Sequence, residues 1–412
     1  MSQIKPFRAF RPKAELAGQV ASVPYDVINT KEAKALAAGN AHSFLHVGRP
    51  EIDLPEGMDE HDDKVYAMGA SNLKKFIAEG TLYHEDKPCL YVYQQKMGDH
   101  VQAGIVALCS AKEYESNLIK KHEYTRKDKE DDRTRHVTEQ GANAEPVFLT
   151  YRAVPYIDHV VDATRKGKPD YDVVTPDGIG HTVWTIRDEV VIGELVAFFN
   201  GVPALYIADG HHRTAAAIRY AQARRAGVAE LTGDEPFETF MAVVFPHNQL
   251  KIMDYNRVVK DLNGLAPEDF LAKVGEKFDV APAPQPQPES LHGFGMFFQG
   301  KWHRLTAKAG SFDAKDPVKS LDVSILQENL LDPILGIKDP RTDTRIDFVG
   351  GIRGMEELEK RVKEGAAVAF AMFPTSLVEL MAVSDAGQIM PPKSTWFEPK
   401  LRSGLLVRVY EG

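Results

Sequence analysis

Leu205-Tyr206-Ile207-Ala208-Asp209-Gly210-His211-His212-Arg213-Thr214-Ala215-Ala216-Ala217 reads as strand, tight turn and helix in direct succession. A short apolar run stops at Asp209-Gly210, and an Ala-rich stretch of good helix propensity follows at once. Gly210 permits the turn at low steric cost. The helix start leaves unpaired backbone N–H groups and a partial positive charge facing the turn. His211, His212 and Arg213 add side-chain donors at the same place. A junction of this kind seats an anion, most often phosphate. It is not a P-loop, because no GxxxxGK sequence occurs, and it lacks the second and third glycines of a dinucleotide fingerprint.

Working outward, Leu90–Gln95 and Val101–Cys109 read as a hairpin joined through Met97-Gly98-Asp99-His100. Pro146–Tyr151, His181–Ile186 and Phe237–Phe245 read as further strands. Helices are expected over Lys31–Ala38, with Asn29 or Thr30 as N-cap, and over Lys64–Glu79, Val190–Phe199 and Thr214–Ala226. Beyond Ala281-Pro-Ala-Pro-Gln-Pro-Gln-Pro288 the pattern gives a hairpin around Gln299-Gly300, helices at Val318–Leu331 and Glu356–Glu364, and strands at Val368–Phe373 and Gly404–Tyr410. Helices and hairpins alternate irregularly, which favours an α+β fold over a doubly wound parallel sheet. The Pro-rich run marks an expected domain edge, giving segments 1–85, 86–280 and 281–412.

The chain has 412 residues, 43% of them hydrophobic and 26% charged, an ordinary globular composition. A net charge of −9 without a long basic run argues against nucleic acid or an anionic membrane as the main partner. No segment has the apolar length of a membrane helix and the N-terminus has no signal core, so a cytoplasmic protein is expected. The two cysteines, Cys89 and Cys109, sit in or beside apolar runs and read as reduced, buried thiols.

Three further constellations bear on chemistry. Lys120-Lys121-His122-Glu123-Tyr124-Thr125-Arg126-Lys127 places acid, imidazole and cations side by side, either as a solvated polar loop or as a general base, Glu123, beside a phosphate clamp. Lys393-Ser394-Thr395-Trp396 lies in a stretch dense in hydroxyls and aromatics, read as a binding loop or as a docked C-terminal loop. Val23-Pro24-Tyr25-Asp26-Val27 is a weaker signal that structure explains as well as function. Asp209 is expected to orient a histidine or to hold a divalent metal. A zinc pair at His211 and His212 is disfavoured, because neighbouring residues rarely face one ion and no third ligand is evident nearby.

Together, Pro6-Phe-Arg8, Val23-Pro-Tyr-Asp-Val27, His122-Glu-Tyr-Thr125, Tyr206–Arg213, Asn256-Arg-Val-Val259, Leu321-Asp-Val323 and Pro392–Lys400 resemble, nearly end to end, a large bacterial and archaeal family known only as a domain of unknown function. More distantly, the Asp209–Arg213 turn with its upstream glutamate is similar to free-serine kinases of the ParB/sulfiredoxin-like fold. That resemblance implies a nucleotide-binding core with N- and C-terminal additions, binding ATP or ADP with Mg²⁺. Phosphates would be held by Gly210, His211, His212, Arg213 and Thr214, and the pocket completed by Lys393, Ser394 and Thr395. Asp209 would orient the phosphates or hold the metal. Glu123, Asp209 and His211 would be catalytic, with Glu123 taking the proton from a hydroxyl of a small metabolite such as free serine. The alternatives are a nucleotide-hydrolysing switch of ParB type and a metal-dependent hydrolase using His211, His212 and Asp209.

Overall fold

Leu205–Ala208 are all buried, so both faces of this strand are covered. The computed structural model describes residues 2–410. Its chain divides into two compact units, Met1–Leu250 with Pro399–Gly412, and Lys251–Glu398. The fold mixes α and β around a large mixed sheet.

In the first unit the main elements are β1 (Ile4–Lys5), α1 (Thr30–Ala37), α2 (Asp63–Ala78), β2 (Leu90–Met97), β3 (His100–Ser110), β4 (Ile119–Lys120), α3 (Lys127–Gln140), β5 (Val147–Tyr151), α4 (Pro155–Arg165), β6 (Tyr171–Val174), β7 (Gly180–Ile186), α5 (Glu189–Phe199), β8 (Leu205–Asp209), α6 (His211–Arg225) and β9 (Thr239–Pro246). The sheet runs β4-β8-β5-β9-β3-β2-β7-β6, with β1 added to β3. The pairs β4–β8 and β5–β9 are parallel. The hairpin β2–β3 and the β3–β9 and β8–β5 pairs are antiparallel. Ile105, Leu149, Leu195, Phe199, Leu205, Ile207, Ala221 and Val244 belong to one continuous core cluster lined by this sheet, α5 and α6. Cys89 and Cys109 are buried and free. No helix among the described residues is long and apolar enough to cross a membrane.

Several elements follow the sequence reading. Asn29 caps α1 in a capping box with Glu32, and α2, α5, β5, β7 and β9 lie where expected to within two residues. The polar stretch after Lys120 does not. It folds as α3, a helix with Arg133 as its one buried residue, ending at Gly141 with φ +60°. No apolar stripe announces it. Its fixing contacts are polar: Tyr66 donates to Asp132 at 2.8 Å and Arg219 of α6 to Asp131 at 2.7 Å.

The segment borders read from the sequence also shift. Residue 85 lies inside the first unit and residue 280 lies inside a strand of the second. That unit contains β10 (Tyr255–Val259), α7 (Pro267–Lys277), β11 (Phe278–Pro282), β12 (Gly293–Phe298), β13 (Lys301–Ala307), β14 (Ile346–Gly350), α8 (Gly354–Lys363) and β15 (Val368–Met372), with strand order β11-β13-β12-β15-β10-β14, all antiparallel. The Pro-rich run begins on β11, an edge strand, where a missing N–H is tolerated. It is therefore sheet border rather than interdomain linker. The expected closing strand shrinks to Arg408–Val409, which pairs with Ala142–Asn143 in the first unit.

Candidate functional site

The parallel pair β4–β8 sets Ile119 opposite Leu205 and Lys120 opposite Tyr206. Both strands therefore release the chain at the same end of the sheet, and beyond the carboxyl ends of parallel strands a crevice opens. Lys121-His122-Glu123 leaves one strand there and Asp209-Gly210-His211 the other. The Glu123 carboxylate comes within 3.9 Å of His211 Nδ1; its side chain is 46% exposed, that of His211 only 5%. The rings of His122 and His211 meet edge to face at 4.5 Å. Neither nitrogen of His122, nor Nε2 of His211, has a hydrogen-bond partner of normal geometry. The Ile207 carbonyl faces the His122 ring without closing such a bond. One ligand atom from each of His122, Glu123 and His211 lies within 4.8 Å of the other two.

The turn itself is built by Gly210, at φ +89°, which caps α6 without any side-chain capping bond. A β-carbon there would stand 3.2 Å from the Arg213 guanidinium carbon. With no side-chain cap, the first N–H groups of α6 stay available as donors. The side chains of the turn are more committed than the sequence implied. Thr214 Oγ1 donates to the Gly210 carbonyl at 3.0 Å, a bond internal to the helix. His212 Nε2 accepts from the Arg126 backbone N–H at 3.0 Å. Arg213 donates to the Pro146 carbonyl at 2.6 Å and lies 3.6 Å from Asp26 and 4.0 Å from Asp209. Asp209 accepts from the Gly210 N–H at 2.8 Å and pairs with Lys400 at 3.0 Å. Its carboxylate is thus paired with a lysine.

Around this turn stand residues that sequence reasoning gave little weight or missed. Asp26 of the Val23–Val27 motif joins Arg213 to Arg133, whose guanidinium lies over the Tyr25 ring at 4.9 Å. Glu145 accepts from the Tyr25 N–H at 3.1 Å and from Ser403 Oγ at 2.7 Å. Tyr25, Asp26, Arg49, Glu51, Lys129 and Arg133 help line a polar cleft of about 480 Å³. These residues come from separated stretches of chain, so no local pattern gathers them. Val23–Val27 carried a weak signal that structure explained as well as function, and Lys129 and Arg133 lay in a charged run read as a solvated face or a small-anion site.

Burial sets the electrostatics. It pushes the His122 imidazolium down to about 4, against the pull of Ile207 and Asp209. Burial and the neighbouring His122 hold His211 well below the ordinary histidine value, so both rings are neutral at pH 7. Burial pushes the Glu145 carboxyl up to about 7 in spite of Arg213. Burial would raise Asp209 too, but Lys400 and Arg213 outweigh it and hold that carboxyl below the usual range. Burial works against the Arg213 charge, and Asp26, Asp209 and Glu145 more than restore it.

Lys393, Ser394 and Thr395 belong to the second unit. There the Lys393 carbonyl, at a residue with φ +59°, accepts from Arg257 at 3.0 Å, and its ammonium lies 5.6 Å from the Tyr255 ring centre. Ser394 donates to Pro391 at 2.6 Å and its carbonyl accepts from Thr375 at 2.9 Å. Arg257 is buried and donates to backbone carbonyls, and burial pushes it down to about 10.

No curated protein matches the chain. Solved structures similar to it include a free serine kinase in complex with AMP (TM-score 0.34, 14% identity, 70% of this chain and 89% of that one). A conserved hypothetical protein from Pyrococcus furiosus gives TM-score 0.34 and 14% identity over 71% of this chain and 93% of that one. SbnI with a C-terminal truncation, from Staphylococcus aureus, gives TM-score 0.41 and 11% identity over 74% and 87%. Residues 4–324, well over half the chain, match the family model described as a protein of unknown function (DUF1015), and the chain therefore belongs to that family.

Proposed function

We propose that the first unit is a nucleotide-binding core of ParB/sulfiredoxin-like type, working in the cytoplasm, that transfers a phosphoryl group from ATP or ADP to a hydroxyl of a small metabolite. The observation that carries this reading is the approach of a half-exposed carboxylate, Glu123, to the uncapped first turn of α6. Phosphoryl transfer asks a protein mainly for position and charge stabilisation. The backbone N–H groups at His211, His212 and Arg213 offer the second, with the helix dipole behind them. Glu123 offers a base for the acceptor hydroxyl. In this reading His212 and Arg213 shape the seat rather than grip phosphate, since their polar atoms already bond to Arg126 and Pro146. Asp209 does not suit a Mg²⁺ ligand while Lys400 holds it, so Mg²⁺ enters as the counter-ion of the nucleotide. The polar cleft, lined by both carboxylates and cations, suits an acceptor bearing both charges, as free serine does.

A thermal-shift series with ATP, ADP and AMP, with and without Mg²⁺, tests the binding half, because a ligand held only by the native state raises Tm. A Tm unmoved by every nucleotide removes the reading. Glu123→Gln should lower turnover by about 10²–10⁴-fold and leave the nucleotide-induced shift in place. Nucleotide hydrolysis without any phosphorylated metabolite would replace the kinase by a switch.

A further inference from the structure

We propose that His122, Glu123 and His211 form a binding site for one divalent transition-metal ion of the zinc type. Their donor atoms lie within 4.8 Å of one another. The two imidazoles are buried, and three of their four nitrogens have no hydrogen-bond partner of normal geometry. A buried polar atom left unsatisfied is costly and is rare without a function or an unplaced ligand. Two such rings on one carboxylate, from strands that end side by side, form a donor set rather than a packing accident. Ligands of a tetrahedral ion at ~2.1 Å stand roughly 3.4 Å apart. Closing the triad therefore asks for movements of about 1 Å, which the half-exposed Glu123 side chain can supply.

The donor set also selects the ion. Two imidazoles and one carboxylate suit zinc, iron, cobalt or nickel, whereas magnesium and calcium prefer oxygen alone. Three protein ligands leave a further position open, as in catalytic rather than structural zinc sites. A single Glu123 oxygen suffices as a ligand, which leaves the second to take part in proton transfer. Metal binding here does not depend on nucleotide binding, and the two are measured separately.

The test is titration of the metal-free full-length protein with Zn²⁺ alone by calorimetry, and with Co²⁺ alone by its visible d–d absorption. One equivalent should bind. Glu123→Gln, a change at a half-exposed side chain that preserves shape, should weaken Zn²⁺ at least tenfold with an unchanged metal-free Tm. His122→Gln and His211→Gln should do the same, whereas His212→Gln should leave Zn²⁺ affinity within twofold of the parent. Failure of the parent protein to bind either ion overturns the proposal, as does Zn²⁺ binding that Glu123→Gln does not weaken. The nucleotide-induced Tm shift, read on metal-free protein, reports on phosphoryl transfer independently of either result.

Discussion

At the scale of single residues, Arg213 is where the buried charges of the site converge. Asp26, Asp209 and Glu145 all act on its guanidinium, and its Nη1 donates to a backbone carbonyl. Removing one partner of a buried ionic cluster strands the others, at a cost of about 3–5 kcal/mol. Arg213→Ala is expected to lower stability by that order in urea unfolding. Arg213→Lys should recover little of it, because an ammonium cannot reproduce the forked, planar contacts. An Arg213→Ala protein as stable as its parent would show the cluster to be inert. Glu145 adds a pH signature. Its native pKa, pushed up by burial to about 7, lies above the ordinary carboxylate value. The folded state thus binds the proton more tightly than the unfolded state does. That contribution is fully present below about pH 4.5 and is lost as pH rises to about 7, at ~1.4 kcal/mol for each pH unit separating the native and unfolded values. Glu145→Gln keeps an acceptor for Tyr25 and Ser403 and should flatten the decline in stability between about pH 5 and 7.5. An unchanged slope in the variant would assign the decline to other groups, such as Glu113 or Asp322, which burial also raises to about 7.

At the scale of elements, the strand–turn–helix of β8 and α6 was legible because its information is consecutive: four apolar residues, Asp209-Gly210, then an Ala-rich helix. Gly210 carries the expected left-handed conformation. Gly210→Ala should cost ~1–2 kcal/mol for the left-handed backbone alone, with a further penalty from the β-carbon set 3.2 Å from Arg213. It should also abolish the nucleotide-induced thermal shift, and a retained shift would move the anion seat away from this turn. Glu123 was legible as a chemical residue beside cations, but its neighbour was not. His122 reads as one more polar residue in a charged run, and its burial follows only from the parallel β4–β8 pair, which spans two residues of β4. Helix α3 was illegible for a related reason. Periodicity reports an apolar face, and this helix is held by ion pairs and the Tyr66 hydroxyl instead. Lys400 and Ser403 lie in and just after the stretch read as a binding loop, but their partners Asp209 and Glu145 did not show, because these tertiary contacts leave no spacing in the sequence.

At the scale of the whole molecule, the chain leaves the first unit after Leu250 and comes back to it at Pro399. The returning segment is core rather than tail. Gln95 donates to the carbonyls of Pro399 and Lys400 at 3.2 and 2.8 Å. Lys400 holds Asp209, Ser403 bonds Glu145, and Val407 bridges to Phe10. Tyr410 stacks on Tyr220 at 4.6 Å and donates to Asn143 at 2.8 Å. Leu401, Leu405, Leu406, Val407 and Tyr410 are all buried. At ~1.5–3 kcal/mol for each buried apolar side chain, their loss rivals the roughly 5–15 kcal/mol by which a whole domain is typically stable. A chain stopped after Glu398 should therefore fail to fold its first unit, seen as loss of the cooperative urea transition and as rapid proteolysis within residues 2–250. The second unit is continuous from Lys251 to Glu398, with a six-stranded sheet and a core cluster of its own around Val258, Phe297 and Leu358. Expressed alone it should melt cooperatively. A truncated chain that keeps a native first unit, or an isolated second unit that never folds, would overturn this division of labour. It would also detach the candidate site from the returning segment that supplies its lysine.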